Sequence, residues 1–126
     1  MGRLEKIPEK WKVVCDECLF NLVDAKGKVK FSIVYRLDED SSGKKFIELI
    51  SVASGKEQGR GYYRLLLAGL ESLAKTEGVA YFSGAIKPEN VRSIQVHEHL
   101  GFYPVGYFVY GNGNEKRIEV RRDISI

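Results

Sequence analysis

The segment from Glu48 to Leu67 constrains this chain more than any other: Glu-Leu-Ile-Ser-Val-Ala-Ser-Gly-Lys-Glu-Gln-Gly-Arg-Gly-Tyr-Tyr-Arg-Leu-Leu-Leu. A strand runs into Gly59 and Gly61 and then directly into a leucine-rich helix. Glycine lets a backbone turn tightly and approach a ligand closely. The first N–H groups of a helix have no intrahelical partner and carry the positive end of its dipole, so they form an anion site. A diphosphate fits that description. A tight turn with no ligand fits the same residues, and on this segment alone the two readings weigh equally. No Gly-Lys-Ser/Thr follows, which excludes a Walker loop, and a dinucleotide fingerprint would want a further glycine.

The flanking pattern sets the architecture. Residues 8–18 read as a short helix, with Pro8 at its first position and Trp11, Val14, Cys15 and Cys18 on one face. Leu19 to Val23 and Val29 to Leu37 read as strands joined by a turn at Asp24-Ala25-Lys26-Gly27. In the second, Val29, Phe31, Ile33 and Tyr35 alternate with Lys30, Ser32, Val34 and Arg36. A polar loop, Asp38 to Gly43, leads to a third strand over about Lys45–Ala53. A helix from near Gly61 ends before Gly78 and carries Leu65, Leu66, Leu67, Leu70, Leu73 and Ala74 as a core stripe. Val79–Ile86 reads as a central strand. Pro88-Glu89-Asn90 opens a helix that stops at Gly101. Phe102–Tyr110 and Arg117–Ile124 form a last hairpin across Gly111-Asn112-Gly113-Asn114. The order α-β-β-β-α-β-α-β-β implies an α/β fold with a mixed sheet and helices on its faces.

At 126 residues and 44% hydrophobic, the chain suits one domain, residues 1–126. Twenty Lys and Arg against 17 Asp and Glu give a net charge of +3, in short clusters such as Lys44-Lys45 and Arg121-Arg122. A nucleic-acid binder shows a denser basic stripe, so nucleic acid is not the expected partner. No apolar run reaches the ~20 residues that span a bilayer, and Met1 to Lys6 contain no secretory h-region, so a cytoplasmic protein without a membrane partner is expected. Cys15 and Cys18 have the spacing of half a zinc site, but further ligands are missing nearby, so no metal is expected and free thiols are the better reading.

Two segments together carry a family resemblance. Gln58-Gly59-Arg60-Gly61-Tyr62-Tyr63-Arg64, followed by Leu65-Leu66-Leu67, resembles the acetyl-CoA pyrophosphate loop of the GNAT acetyltransferase superfamily, Gln/Arg-x-x-Gly-x-Gly/Ala. Gln58 and Gly61 fill the first two fixed positions, while Tyr63 stands where Gly or Ala is usual. A second register, through Lys56, Gly59 and Gly61, restores that glycine but loses the leucine alignment. Asn90-Val91-Arg92-Ser93-Ile94-Gln95-Val96-His97 to Gly101-Phe102 resembles the family's next helix, Asn-x-x-Ser/Ala-x-x-x-Tyr/His-x-x-x-Gly-Phe. The two motifs in the right order span residues 48–102.

The resemblance implies an N-acetyltransferase that uses acetyl-CoA as cosubstrate and an amine as acceptor, by direct attack in a ternary complex. It implies that His97 protonates the departing thiolate, and that Asn90 and Ser93 contact the pantetheine arm or phosphate. The loop residues Gln58, Gly59, Arg60, Gly61, Tyr62, Tyr63 and Arg64 would hold the pyrophosphate. Ile50, Ser51, Val52 and Ala53 would lie along the pantetheine on a strand that splays from its neighbour, with a bulge. A protonated amine has no lone pair to attack with, so a base is needed, and Glu48 is the candidate. His99 faces away from His97 on a helix.

The family opens with a strand and two helices, and only about 18 residues precede Leu19 here, so part of that opening is expected to be missing. A truncated member, a partner subunit such as the second copy of a homodimer, or a large acceptor bound in the open would each account for this. Two other functions stay open: a non-catalytic acyl-CoA sensor, and a small interaction module whose glycine loop is purely structural.

Overall fold

The computed structural model describes residues 12–16, 19–53, 62–110 and 115–124. The glycine loop Gln58–Gly61, Lys56 and Cys18 lie outside the described residues. Among the described residues, seven strands form one sheet in the order β1-β2-β3-β4-β5-β7-β6, with β1 Lys12–Asp16, β2 Leu19–Val23, β3 Val29–Glu39, β4 Lys45–Ala53, β5 Tyr81–Ile86, β6 Tyr103–Tyr110 and β7 Glu115–Asp123. The helices are α1, Tyr62–Thr76, and α2, Val91–His99. The mixed α/β class expected from the pattern is what forms.

The first element is a correction. Where a helix was expected within residues 8–18, Lys12–Asp16 is a strand, pairing antiparallel with β2 from Lys12↔Val23 to Asp16↔Leu19. The helical spacing of Trp11, Val14 and Cys15 was the weaker signal. Val13 and Val14 are β-branched and stiff at χ1, which favours a strand. Pairing with an adjacent strand then stabilises the segment, whereas a short helix is marginal unless tertiary packing supports it.

The β2–β3 and β3–β4 turns repeat one device, Asp-x-x-Gly-Lys. Asp24 Oδ1 accepts from the N–H groups of Lys26 and Lys28, both at 2.9 Å. Asp40 Oδ1 accepts from those of Ser42 at 2.9 Å and Lys44 at 3.0 Å. Each turn needs a residue with positive φ at its fourth position, met by Gly27 at 83° and Gly43 at 87°.

Both helices lie on one face of the sheet. Leu66, Leu67, Leu70 and Ala74 of α1 pack into a core with Phe20 and Leu22 of β2, Phe31 and Ile33 of β3, Ile47 and Leu49 of β4, and Phe82 of β5. Each fully buried leucine contributes about 1.5–3 kcal/mol relative to exposure, which is why the stripe fixes the helix to this face. Arg122 of β7 reaches back to Glu71 of α1 at 2.8 Å. The opposite face carries the alternate residues, including Glu48, Tyr81, Ser83, Glu119 and Arg121. There Phe46 stacks on Tyr81 at 5.2 Å and Arg121 lies over the Tyr81 ring at 4.5 Å.

Candidate active site

The site begins where two parallel strands part. β4 and β5 pair from Phe46↔Tyr81 through Glu48↔Ser83 to Leu49↔Gly84, and no further. Both strands continue, β4 to Ala53 and β5 to Ile86. On its other side β4 stays paired with β3, but Val34 faces Ser51 while Tyr35 faces Leu49, so Ile50 is an extra residue. A bulge of this kind sharpens local twist and bends the strand. It turns β4 away from β5 one residue after the last parallel pair. The bulge and the splay stand where they were expected.

Ile50 is 54% exposed. The backbone from Ile50 to Ala53 has no strand partner on the β5 side among the described residues. An open strand edge of this length suits an extended ligand that carries amide groups of its own, because main-chain N–H and C=O groups can then pair as in a sheet. The pantetheine arm of acetyl-CoA has that chemistry, so the residues present fit it.

The chain leaves the parting strands through the two helices, α1 after β4 and α2 after β5. Tyr63, in the first turn of α1, meets His97, in the last turn of α2. The Tyr63 hydroxyl lies 2.8 Å from His97 Nε2. On the other edge of the ring, Nδ1 lies 2.7 Å from the backbone carbonyl oxygen of Ser93, with Ser93 Oγ at 3.4 Å. Phe31 backs the Tyr63 ring at 6.2 Å, and Phe102 meets the His97 ring edge-on at 5.0 Å. His97 also forms one wall of an open, largely apolar pocket of about 230 Å3 between α2 and the β6–β7 hairpin. Burial in these surroundings pushes the imidazole pKa below its usual value, partly opposed by the Ser93 carbonyl. Burial pushes the Tyr63 phenol up, partly opposed by the Arg122 charge.

Glu48 sits on the opposite face of the sheet, one pair before the strands separate. Its Oε2 accepts from Arg36 Nη2 at 2.6 Å. Beside it on β5 is Ser83, 8% exposed, whose hydroxyl donates to Glu119 at 3.4 Å. Arg121 Nε holds the same carboxylate oxygen at 2.9 Å.

The remaining expected residues are distributed as follows. Asn90 caps α2, its Oδ1 accepting from the Ser93 N–H at 3.2 Å. Tyr62 is buried in the core at 5% exposure, which leaves its backbone as the part available to a ligand, and Arg64 is exposed. Ser51, Val52 and Ala53 are described through their backbone in β4. The structure thus brings Tyr63, Ser93 and His97 together and keeps Glu48 across the sheet from them. No local pattern signals the Tyr63–His97 contact, because the two residues are 34 positions apart.

Among the described residues there is no group of His, Cys, Asp and Glu that could hold a metal ion. Among them too, no helix is long and apolar enough to cross a membrane.

The sequence profile of the Acetyltransferase (GNAT) family matches residues 8–102. No curated protein matches the chain in sequence. Solved structures match in fold. The ribosomal-protein-S18-alanine N-acetyltransferase from Escherichia coli aligns with a TM-score of 0.66 at 23% identity, covering 94% of this chain and 72% of that one. The NatB acetyltransferase complex bound to CoA and MES gives 0.75 at 14%, covering 86% and 74%. The NatC complex bound to Gag peptide and CoA gives 0.72 at 15%, covering 86% and 72%.

Proposed function

Because the chain belongs to the GNAT acetyltransferase family, we propose that it is an N-acetyltransferase that moves an acetyl group from acetyl-CoA to an amine. The observation that carries this reading is the parting of β4 and β5 after Leu49↔Gly84, with the Ile50 bulge that turns the β4 edge outward. Solved structures of the same fold are described as bound to CoA.

In this reading acetyl-CoA supplies an activated acetyl group as a thioester. The open backbone of Ile50, Ser51, Val52 and Ala53 pairs with its pantetheine arm. Backbone N–H groups at the bulge are available to an oxygen that gains negative charge, the type of contact that lowers acyl-transfer barriers most. Gln58, Gly59, Arg60 and Gly61, with the backbone of Tyr62, Tyr63 and Arg64 at the start of α1, take the pyrophosphate through the helix dipole and free N–H groups. Asn90 and Ser93 open α2 beside the arm.

Glu48 serves as the base. A lysine-like amine with a pKa of about 10.4 is a cation at neutral pH and must lose a proton before it can attack. Glu48 lies at the apex of the splay, partly exposed, on the face opposite α1 and α2. His97 handles the proton that the departing thiolate requires. Holding amine and thioester together supplies much of the remaining acceleration.

The proposal includes a cytoplasmic setting and a homodimer. β6 is one of the two edge strands among the described residues and exposes Tyr103, Val105, Tyr107 and Val109, a surface a second copy would cover. A concentration series in sedimentation equilibrium tests it: a constant monomer mass up to high concentration removes the dimer.

The test of function is turnover. Acetyl-CoA is incubated with a panel of small amines, lysine-containing peptides and peptides with free N-termini, and both free thiol and acetylated product are followed. Thiol release that depends on the amine, with stoichiometric product, supports the reading. Tight binding with no transfer to any member of the panel supports the sensor alternative instead.

A further inference from the structure

Both ring nitrogens of His97 are engaged, and their partners decide where the protons are. The Ser93 carbonyl oxygen, 2.7 Å from Nδ1, can only accept a hydrogen bond. Nδ1 therefore carries the hydrogen. In a neutral ring that leaves Nε2 as an acceptor, so the Tyr63 hydroxyl at 2.8 Å donates to it. A neutral His97 in this tautomer has no proton at Nε2 to give to a thiolate, and the position is already taken. On the Nε2 side of the ring, among the described residues, the proton that can exchange with an outside group while Nδ1 stays anchored to Ser93 is the one on Tyr63. The hydroxyl also joins the two helices that leave the parting strands, α1 from β4 and α2 from β5.

Building on the transferase reading above, we infer that Tyr63 is the catalytic residue that exchanges protons with the reacting atoms, and that His97 is a positioning residue that stores a proton behind it. The steps balance. The amine, already neutral, forms its new C–N bond with its lone pair and becomes positively charged. Tyr63 Oη takes one N–H proton while passing its own proton to His97 Nε2, which leaves a neutral nitrogen and an imidazolium held by Ser93. The C–S bond then breaks, with its electron pair going to sulfur. Tyr63 gives its proton to that sulfur and recovers one from Nε2, which restores the starting hydrogen bond. The net movement is one proton from nitrogen to sulfur, with no free tyrosinate at any stage. The bulky residue at position 63, out of place by the family pattern, thereby gains a role.

The test uses the full chain and two substitutions, Tyr63→Phe and His97→Gln. Nitrogen-resolved NMR of His97 in the free protein needs neither cofactor nor acceptor. It should report the Nδ1–H tautomer, and Tyr63→Phe should move the Nε2 resonance and raise the ring's apparent pKa by removing a donor to the neutral form. Acetyl-CoA binding by calorimetry should stay within about threefold in Tyr63→Phe, while kcat falls by about 10²–10⁴, the usual range for a general acid–base group. The double variant should be no slower than the slower single one, as expected for residues acting as a unit. An Nε2–H tautomer in the free wild type overturns the relay. So does a Tyr63→Phe protein with full kcat beside a His97→Gln protein that has lost it, or losses that multiply in the double variant. Wild type that binds no acetyl-CoA overturns the transferase reading and the relay with it; wild type that turns over normally with a fully active Tyr63→Phe overturns the relay alone.

Discussion

Phe82→Ala perturbs the strand on which the site depends. Phe82 is fully buried at 0% exposure, pairs between Ile47 and Arg122, and packs against Phe102 at 6.5 Å. It is also two residues from Gly84, where β4 and β5 part. Truncating a buried phenylalanine costs about 3–5 kcal/mol, from lost transfer energy and the cavity left behind. Unfolding entropy near the midpoint is about 2.1 cal/mol/K per residue, or about 0.26 kcal/mol/K for a chain of this length. The midpoint should therefore fall by about 11–19 °C. Thermal melts by circular dichroism measure it, with calorimetry to confirm a two-state transition. Val91→Ala is the control: Val91 is 57% exposed on α2, and its loss should change stability by no more than about 0.5 kcal/mol, roughly 2 °C. A fall of less than about 3 °C for Phe82→Ala, or an equal fall for the control, refutes the placement of Phe82 at the core centre.

Glu48→Gln removes the proposed base and one partner of a partly exposed ion pair, and such pairs contribute only about 0–1 kcal/mol. The melt should barely move, while kcat at neutral pH drops by about 10²–10⁴ and its dependence on pH steepens toward the amine's own pKa; an unchanged pH–rate profile would count against Glu48. Asp40 is held well below the usual carboxylate range by Ser42, then Tyr81, then the Lys44 N–H. The stability it provides is complete above its unfolded pKa of 3.8 and is lost as pH falls through the lower folded value, so Asp40→Ala should be less stable at pH 7 and flatten the acid limb of an unfolding series. His97 is half-buried, facing Tyr63 from α1, with Glu98 on its own helix and Arg122 of β7 near the phenol. Its folded pKa lies below 6.5, so its contribution is complete above that pH and is lost as pH falls through the folded value. His97→Gln should remove that part of the pH dependence, and denaturant melts between pH 7 and 5 would show it.

What could be read in the sequence was local. Alternation in β3, the leucine stripe of α1 and Asn90 at the start of α2 each depend on neighbours a few positions apart, and each formed as read. The bulge and splay at Ile50 were foreseen from the resemblance rather than from residue pattern, since nothing in Leu49-Ile50-Ser51 separates a bulged strand from a regular one. Three features were not legible. Lys12–Asp16 carried a helical spacing and a β-branched pair at once, and pairing with β2 decided between them. Tyr63 looked like a misfit in a glycine position, because its partner lies on another helix. The surroundings of Glu48 were not legible either, because the strand pattern does not say that β4 sets it on the face away from α1 and α2, where Arg36 of β3 meets it.

Calorimetric titration of acetyl-CoA into the wild type, with Gly61→Glu as comparison, tests the central claim most directly. The account predicts one site in the wild type, lost in a variant that melts at an unchanged temperature, because a carboxylate at the helix start repels the pyrophosphate that the helix N-terminus would otherwise attract. A well-folded wild type that takes up no acetyl-CoA, or a Gly61→Glu protein that binds it equally well, would contradict the account.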